Sequence, residues 1–316
     1  MRVVFMGTPE FAVPTLERLH EQGHSLLAVV TQPDRPAGRG RRLTPSPVKE
    51  RALKLALPVH QPEKIKSEEA YILLRETAPE VIVVVGYGQI IPRRVLELPP
   101  LGCINVHSSL LPKYRGAAPV NWAIARGETM TGVTTMRLIF ELDAGPILLQ
   151  RSTPIGADES APEVLARLAP LGADLLVETL EGLARGAIEP REQNHAEATF
   201  APILKREDGQ IDWSLSAAEI ANRVRGFDPW PGAYTAFRGK RLRIRRAHAI
   251  DGRADAGRIE AAAGAIRIGC GGGGLLEALE LQLEGRNRIA AAEFIRGYQP
   301  DGERLGELPK EGASAR

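Results

Sequence analysis

Apolar residues in the first half of the chain form short continuous runs, separated by stretches with helical spacing. Four such runs predict strands: residues 2–6, 26–30, 81–85 and 103–106. Continuous apolar runs are typical of strands covered on both faces, as in mostly parallel sheets. Between the first two runs, apolar side chains recur at helical spacing from Phe11 to Leu19, and Gly23 follows them. This half of the chain therefore predicts βαβ units and an α/β fold class.

Two further patterns follow the fourth run. Residues 131–138 and 147–152 predict a pair of strands around the loop Leu142-Asp143-Ala144-Gly145. From residue 160 to 186, a stripe of leucine and valine predicts a long helix. Pro170 lies inside that stripe, and because proline lacks the backbone N–H, we expect a kink or a break there.

The last third of the chain has a different pattern. Ser216-Ala217-Ala218-Glu219 has the form of a capping box and predicts a short helix that ends near Gly226. Beyond it, Leu242 and Ile244 alternate with arginines, and further short alternating segments are separated by many glycines. Short strands with glycine-rich turns predict a small β-barrel or sandwich.

The change of pattern predicts two domains, which 316 residues can accommodate. Between about residues 187 and 210 the periodicity is lost, and prolines and mixed charges take its place. We therefore expect a first domain over residues 1–189, a linker over 190–208 and a second domain over 209–316.

Composition narrows the class of protein. Hydrophobic residues make up 43% and charged residues 25%, and the net charge is +2, so any nucleic-acid surface must be a local patch. Two cysteines, Cys103 and Cys270, exclude a disulfide scaffold and a cysteine-built zinc site. The pair His20 and His24 has no acidic partner placed for zinc, so we expect no metal. We also expect no signal peptide, no membrane span and a cytoplasmic location.

The side chains best suited to catalysis lie where the fourth predicted strand ends. Asn105 and His107 point to the same face of that strand, because side chains alternate with a period of two. An amide donor beside an imidazole suits a developing oxyanion and a proton transfer, and Asp143 in another loop could orient the histidine. A histidine beside a strand is more often structural, so this pattern alone leaves both interpretations open.

The turn Gly7-Thr8-Pro9 follows the first strand and opens a helix. It is not the G-x-G-x-x-G fingerprint of dinucleotide-binding proteins. Ligands do bind at the carboxyl ends of strands in such sheets, so a tight turn and a ligand loop both remain possible.

Two basic segments could bind phosphates. Residues 35–47 contain four arginines, three prolines and two glycines, which predicts an exposed loop without regular structure. Residues 238–246 hold six basic residues in nine, and on a strand they would place Arg241, Arg243 and Arg245 on one outer face. Each segment suits a nucleic-acid backbone, and a solvated charged surface is the alternative interpretation of each.

Over nearly its whole length the chain resembles the methionyl-tRNA formyltransferase family. The matching segments run from Met6 to Phe11, Thr31 to Gly40, Asn105 to Pro119, Leu142 to Pro146, Ile211 to Ser216 and Phe227 to Ala233. The N-x-H, S-L-L-P and L-D-x-G elements are shared by the wider superfamily that uses formyl-tetrahydrofolate. The arginine loop and the W-S-L-S and P-W-P-G segments favour the tRNA-dependent branch.

The resemblance implies a Rossmann-like, mostly parallel formyltransferase domain followed by a small OB-like β-barrel. It implies transfer of the formyl group of 10-formyltetrahydrofolate to the α-amine of initiator methionyl-tRNA, in a monomer without a metal or an obligate protein partner. The implied catalytic residues are Asn105, His107 and Asp143. The implied folate-binding residues are Ser109, Leu110, Leu111 and Pro112. The implied tRNA-binding residues are Arg35, Arg39, Arg41, Arg42, Arg241, Arg243 and Arg245.

Two alternative functions fit parts of the pattern. Another formyl-tetrahydrofolate-dependent transferase, acting on a nucleotide sugar or a purine precursor, would keep Asn105, His107 and Asp143 but would not need the basic segments. A nucleic-acid-binding protein with an inactive formyltransferase-like domain would have no reason to keep the three residues intact. Ser108 and the pair Phe140-Glu141 depart from the family pattern and are expected to change folate packing slightly.

Overall fold

A computed structural model of the chain describes residues 1–37 and 42–306. The chain divides into two units according to its internal contacts. The first unit comprises Met1–Pro119, Met130–Pro154 and Leu165–Ala201. The second unit comprises Val120–Thr129, Ile155–Val164 and Pro202–Arg316.

The first 201 residues contain eleven described strands and six described α-helices. In chain order these are β1 (Arg2–Gly7), α1 (Val13–Glu21), β2 (Ser25–Val30), β3 (Arg35–Ala37), β4 (Arg42–Thr44), α2 (Pro47–Lys54), β5 (Val59–His60), α3 (Glu68–Thr77), β6 (Val81–Val85), α4 (Arg93–Leu96), β7 (Cys103–His107), β8 (Arg115–Gly116), α5 (Pro119–Ala125), β9 (Met130–Arg137), β10 (Ile147–Pro154), α6 (Ala161–Ala184) and β11 (Phe200–Ala201). The four predicted central strands are confirmed as β1, β2, β6 and β7, and the predicted pair is confirmed as β9 and β10.

Seven of these strands form one sheet, in the order β10-β9-β7-β6-β1-β2-β5. The strands from β7 to β5 are parallel, whereas β9 is antiparallel to both β7 and β10. The chain moves outward from β1 to β2 and β5, and then returns to the other side of β1 with β6 and β7. This reversal of strand order next to β1 is a topological switch point, and in open α/β sheets ligands bind at the carboxyl ends of the strands at such points.

The valine-rich strands bury side chains on both faces, as their continuous apolar runs require. On one face, Phe5, Val83 and Val106 pack with Leu16 of α1 and Leu180 of α6. Residues of the opposite parity, including Met6, Val84 and Cys103, pack with α3 and α4 on the other face. Because Asn105 and His107 have the parity of Cys103, they project on the second face.

Of the kink or break expected at Pro170, the break is wrong, because helix α6 continues from Ala161 to Ala184. A proline inside a helix removes one backbone hydrogen bond. The fully buried side chains of Leu168, Leu176 and Leu180 stabilise the helix by packing, which outweighs that single loss.

The expectation that residues 35–47 lack regular structure is also wrong at the described ends of the segment. Strands β3 and β4 pair in an antiparallel hairpin, with Pro36 opposite Leu43. Each strand of a two-stranded ladder has one edge without a partner, so a proline there need not remove a ladder hydrogen bond. Ser46 then caps α2 by accepting a hydrogen bond from the Lys49 N–H, and Pro47 occupies the first helical turn.

The second unit contains an antiparallel sheet and two further helices. In chain order its elements beyond residue 202 are α7 (Ala217–Gly226), β12 (Tyr234–Phe237), β13 (Lys240–Ile250), β14 (Ile259–Ala262), β15 (Ala265–Gly269), β16 (Leu275–Leu283), β17 (Ile289–Ala290) and α8 (Ala291–Tyr298). The sheet has the order β12-β13-β16-β15-β14, and β17 also pairs with β16. This arrangement agrees with the expected OB-like domain.

Local predictions for the second unit are confirmed. Ser216 accepts a hydrogen bond from the Glu219 N–H, and the Glu219 carboxylate accepts one from the Ser216 N–H, which completes the capping box. Leu242 and Ile244 point into the core of the unit, together with Phe237 of β12 and Phe294 of α8. Within the described residues, no helix is both long enough and apolar enough to cross a membrane.

Candidate active site

Strand β7 carries Asn105 and His107 to the carboxyl edge of the first sheet. Both side chains are more than 90% buried. Their neighbours across the antiparallel pairing with β9 are Met136 and Thr134. The prediction that the amide and the imidazole share one face at a strand end is therefore confirmed.

Both ring nitrogens of His107 have defined neighbours. Nε2 lies 3.0 Å from the carbonyl oxygen of Tyr114, so this nitrogen carries a proton and donates it to the carbonyl. Nδ1 lies 3.9 Å from Oδ2 of Asp143, which is too long for a hydrogen bond but short enough for an ion pair when the ring is protonated. Nδ1 is therefore the nitrogen that faces the Asp143 carboxylate.

Asp143 reaches His107 because of an unusual backbone conformation. Its φ angle of +47° lies in the left-handed region, where a residue other than glycine is uncommon. Its Oδ2 atom accepts a hydrogen bond of 2.8 Å from the Gly116 N–H. The turn continues tightly through Gly145, where a Cβ atom would lie 1.9 Å from the Arg137 carbonyl oxygen. The three residues predicted to be catalytic thus lie in one buried site.

The side-chain amide of Asn105 forms no hydrogen bond to any other described residue, and its atoms are not among the side-chain polar atoms that are both unpaired and sealed from solvent. An unpaired amide at the end of a strand is therefore available to a bound molecule, and its N–H groups can donate to a negatively charged oxygen.

The loop Ser109 to Pro112 is held by side chains of the antiparallel strands. The Thr134 hydroxyl donates to the Ser109 carbonyl (2.6 Å) and accepts from the Leu111 N–H. Gln150 of β10 donates to the Leu111 carbonyl at 2.8 Å and to the Thr134 hydroxyl at 3.0 Å. These bonds fix the predicted folate-binding residues beside His107, with Leu110 against Gly132 of β9.

The loops at the ends of β1, β2 and β6 form a polar group that the sequence did not single out beyond the Gly7-Thr8-Pro9 turn. The Thr8 hydroxyl and the Gln32 amide both donate to the Tyr87 carbonyl at 3.0 Å. Gln89 donates to Gln32, which joins the loops after β2 and β6. Burial raises the pKa of the Tyr87 phenol to about 12, so it stays protonated. The glycines and glutamines around these residues form no sequence motif that predicts this arrangement of hydrogen bonds.

Sequence reasoning also missed the buried residues Arg115 and Gln193. The Arg115 guanidinium donates through Nε and Nη2 to Oε1 of Gln193 at 3.1 and 2.6 Å. Burial lowers the pKa of Arg115, and the negative charge of Asp143 opposes that shift. Gln193 belongs to residues 191–201, here called the returning segment, which pairs with β8 through β11.

The arginines predicted to bind tRNA fall into two groups. Arg35 is exposed on β3, and Arg42 lies on β4, whereas Arg39 and Arg41 lie outside the described residues. Arg241, Arg243 and Arg245 are half-buried and alternate along β13 with the buried Leu242 and Ile244, as predicted.

The arginine face of β13 is crowded with positive charge. Burial lowers the pKa of Arg243, and repulsion from Arg245, Arg241 and Arg206 adds to the effect. The Arg241 guanidinium lies over the Tyr234 ring at 4.9 Å, and Arg245 is 3.6 Å from the Asp228 carboxylate. An anion would relieve the repulsion at this face.

Two family models match the chain. The formyl transferase model covers residues 1–180, and the formyl transferase C-terminal domain model covers residues 203–299. The chain is 55% identical over 310 residues to the methionyl-tRNA formyltransferase of Koribacter versatilis, which covers 98% of this chain and 99% of that protein. The chain belongs to the methionyl-tRNA formyltransferase family. Another member, from Solibacter usitatus, is 53% identical over 312 residues, 97% of this chain and 99% of that protein.

Solved structures share the fold of this methionyl-tRNA formyltransferase family member at low sequence identity. WlaRD, a sugar 3N-formyltransferase crystallised with dTDP and 5-N-formyl-THF, is 16% identical with a TM-score of 0.67, over 91% of this chain and 99% of that one. HypX from Aquifex aeolicus, in complex with tetrahydrofolic acid, is 19% identical with a TM-score of 0.63. That match covers all of this chain, which spans half the length of HypX.

Among residues 1–37 and 42–306, no group of three or more histidine, cysteine, aspartate or glutamate side chains is arranged to hold a metal ion.

Proposed function

We propose that the chain transfers the formyl group of 10-formyltetrahydrofolate to the α-amine of methionyl-initiator tRNA. The observation that carries the proposal is the unpaired amide of Asn105 on the same strand face as His107, whose Nδ1 atom faces Asp143. Membership of the methionyl-tRNA formyltransferase family supports the choice of donor and acceptor.

When bound, 10-formyltetrahydrofolate supplies the carbon to which the amine nitrogen forms a bond as the bond from that carbon to N10 breaks. The unpaired Asn105 amide fits this chemistry, because its N–H groups donate to the formyl oxygen as that oxygen gains negative charge. A donor of this kind is worth about 2.7–4 kcal/mol in other enzymes.

In this proposal, His107 and Asp143 stabilise the developing negative charge and transfer protons. The Tyr114 carbonyl occupies Nε2 of His107, so the ring acts through Nδ1. A protonated His107 ring, with its Nδ1 atom 3.9 Å from the Asp143 carboxylate, stabilises the same oxygen. The proton lost by the attacking amine passes to the His107–Asp143 pair, directly or through water, and N10 of the departing tetrahydrofolate is protonated in turn.

The residues that contact the folate are Ser109, Leu110, Leu111 and Pro112 in this proposal. Support comes from the hydrogen bonds of Thr134 and Gln150, which hold this loop in one conformation beside His107. Because this loop is already ordered, little of the free energy of folate binding is lost in ordering the protein. More of it is then available to position the formyl donor.

The two basic groups contact the tRNA in this proposal. Arg35, Arg39, Arg41 and Arg42 contact the acceptor end, and Arg241, Arg243 and Arg245 contact the backbone. The mutual repulsion at the β13 face supports an anionic partner. The chain acts as a monomer in the cytoplasm, where initiator tRNA is used. It consists of a catalytic unit that includes the returning segment, followed by an OB-like tRNA-binding domain.

The test is formyl transfer by the purified chain from 10-formyltetrahydrofolate to three acceptors: charged initiator tRNA, charged elongator methionyl-tRNA and an amino-sugar nucleotide. The proposal expects turnover with the charged initiator tRNA at least a hundredfold above the other acceptors. Preference for the amino-sugar nucleotide would replace the proposed acceptor. Absence of turnover with every acceptor, together with retained tRNA binding, would identify a binding protein instead.

A further inference from the structure

We infer that Gln193, in the returning segment, is a positioning residue that aims the Asp143 carboxylate at His107. This inference rests on the proposed catalytic role of Asp143. Gln193 is 4% exposed and lies outside the sequence motifs that suggested the site.

The side-chain amide of Gln193 uses its full hydrogen-bonding capacity on the site. Its Nε2 donates to the backbone carbonyls of Asp143 and Gly145 at 2.9 and 2.7 Å. Its Oε1 accepts two hydrogen bonds from the Arg115 guanidinium. A side-chain amide offers two donor hydrogens and two acceptor sites, and all four are satisfied here.

These bonds connect the two segments that determine where the carboxylate lies. One segment is the turn at Asp143, which has a left-handed φ angle and therefore needs external restraint. The other holds Arg115, and the next residue, Gly116, donates its N–H to the Asp143 carboxylate. By binding the backbone of the first segment and the side chain of the second, Gln193 fixes both ends of the contact between Asp143 and Gly116.

The position of Gln193 is itself fixed by the returning segment. Arg191 and Ile147 exchange two backbone hydrogen bonds of 2.8 Å at the start of β10. Further along, Thr199 accepts from the Tyr114 N–H through its hydroxyl and from the Arg115 N–H through its carbonyl. The backbone is therefore anchored by hydrogen bonds on both sides of Gln193, and this fixes the position of its side-chain amide.

Replacing Gln193 by methionine keeps the length of the side chain but removes all four hydrogen bonds. We expect kcat for formyl transfer to fall about 30-fold while KM for the folate donor and the tRNA stays within threefold. Amide hydrogen exchange at Gly116 should accelerate at least tenfold, since the acceptor of its N–H becomes mobile.

A second variant keeps the experiment decisive if methionine is poorly tolerated. Gln193→Glu retains the acceptor for Arg115 but loses both donors to the carbonyls of Asp143 and Gly145, so it should reproduce the loss of kcat. The matched control is Thr179→Val, which removes a buried 2.7 Å hydrogen bond between Thr179 and Thr135 and should leave kcat unchanged.

A double-mutant cycle separates positioning from general structural support. In an Asp143→Asn background, Gln193→Met should reduce kcat by less than a further threefold, because the group that it positions is already neutral. Loss of the same size in both backgrounds, or unchanged Gly116 exchange in the single variant, would overturn the inference. A wild-type chain without formyl transfer would instead refute the proposed function, and Gly116 exchange would still report on Gln193.

Discussion

The carbonyl oxygen of Tyr114 lies 3.0 Å from Nε2 of His107 and fixes which ring nitrogen can take part in chemistry. Tyr114 itself has a φ angle of +62°, in the left-handed region, which contributes to the turn that presents its carbonyl to the ring. The imidazole is thereby locked by the backbone, and Nδ1 is left to Asp143 and the substrates.

Replacement of His107 by alanine should lower kcat at least a hundredfold, because it removes the only imidazole that faces Asp143 within the described residues. The melting temperature should change little in comparison, since the ring makes one hydrogen bond to a carbonyl. Steady-state kinetics and thermal melting on the same preparation provide the measurement. Activity within tenfold of the wild-type chain would contradict the assigned role.

Replacement of Asn105 by alanine should lower kcat by about 10²–10³, the usual effect of losing one oxyanion donor. The amide has no protein partner in the described chain, so its removal leaves no buried group newly unpaired. Stability measured by urea unfolding should therefore be unchanged within about 1 kcal/mol. A large loss of stability with normal kcat would show that the amide is structural.

Simultaneous replacement of Arg241, Arg243 and Arg245 by alanine should weaken tRNA binding and flatten its dependence on salt. Each lost phosphate contact should reduce the slope of log affinity against log salt by up to roughly 0.9. The control variant removes the same charge from exposed positions outside β13: Arg253, Arg258 and Arg267. Equal effects of the two triple variants would mean that only net charge matters.

The two thiols should be unreactive in the folded chain. Burial raises the pKa of Cys103 to about 12 and that of Cys270 to about 11, and the thiolate is the reactive form. A thiol reagent at pH 8 should label two groups per chain in denaturant and fewer than 0.2, roughly, in the same time without it. Because the folded state favours the neutral thiols, stability should be unaffected below about pH 8.5 and should fall as the pH rises toward 11 and 12. Rapid native labelling would show that one thiol is accessible.

Replacement of Ser216 by alanine should lower the free energy of unfolding by about 1 kcal/mol, because it removes the cap of α7. Ser216→Asn keeps an oxygen acceptor at the cap and serves as the control. Chemical denaturation followed by tryptophan fluorescence measures both variants. An unchanged midpoint for the alanine variant would mean that water replaces the cap at no cost.

Local patterns were sufficient to predict the strand that carries Asn105 and His107. A continuous apolar run predicts a buried strand, and the period of two places the residues on one face whatever lies around them. The loop that holds Asp143 could also be predicted, because the apolar runs on both sides of it mark β9 and β10. The left-handed φ angle of Asp143 could not, since it depends on contacts with distant parts of the chain.

Gln193 could not be found from the sequence for a different reason. Its amide contacts backbone carbonyls 50 and 48 residues earlier in the chain, and carbonyls have no residue-specific signature. The returning segment also lacks periodicity, a pattern typical of a linker rather than of a segment that forms part of a site. The hairpin of β3 and β4 and the unbroken helix through Pro170 were missed because pairing and packing outweigh local preferences there.

The returning segment also dictates when the catalytic site can form during synthesis. The hydrogen bonds of Arg115 with Gln193 and of Tyr114 with Thr199 span 78 and 85 residues, so they close late in the translation of the first unit. A nascent chain can build β1, β2, β6 and β7 while its Asp143 turn still lacks restraint, because long-range contacts wait for the later residues. Chains that terminate before about residue 201 should therefore contain a folded sheet core without a competent catalytic centre.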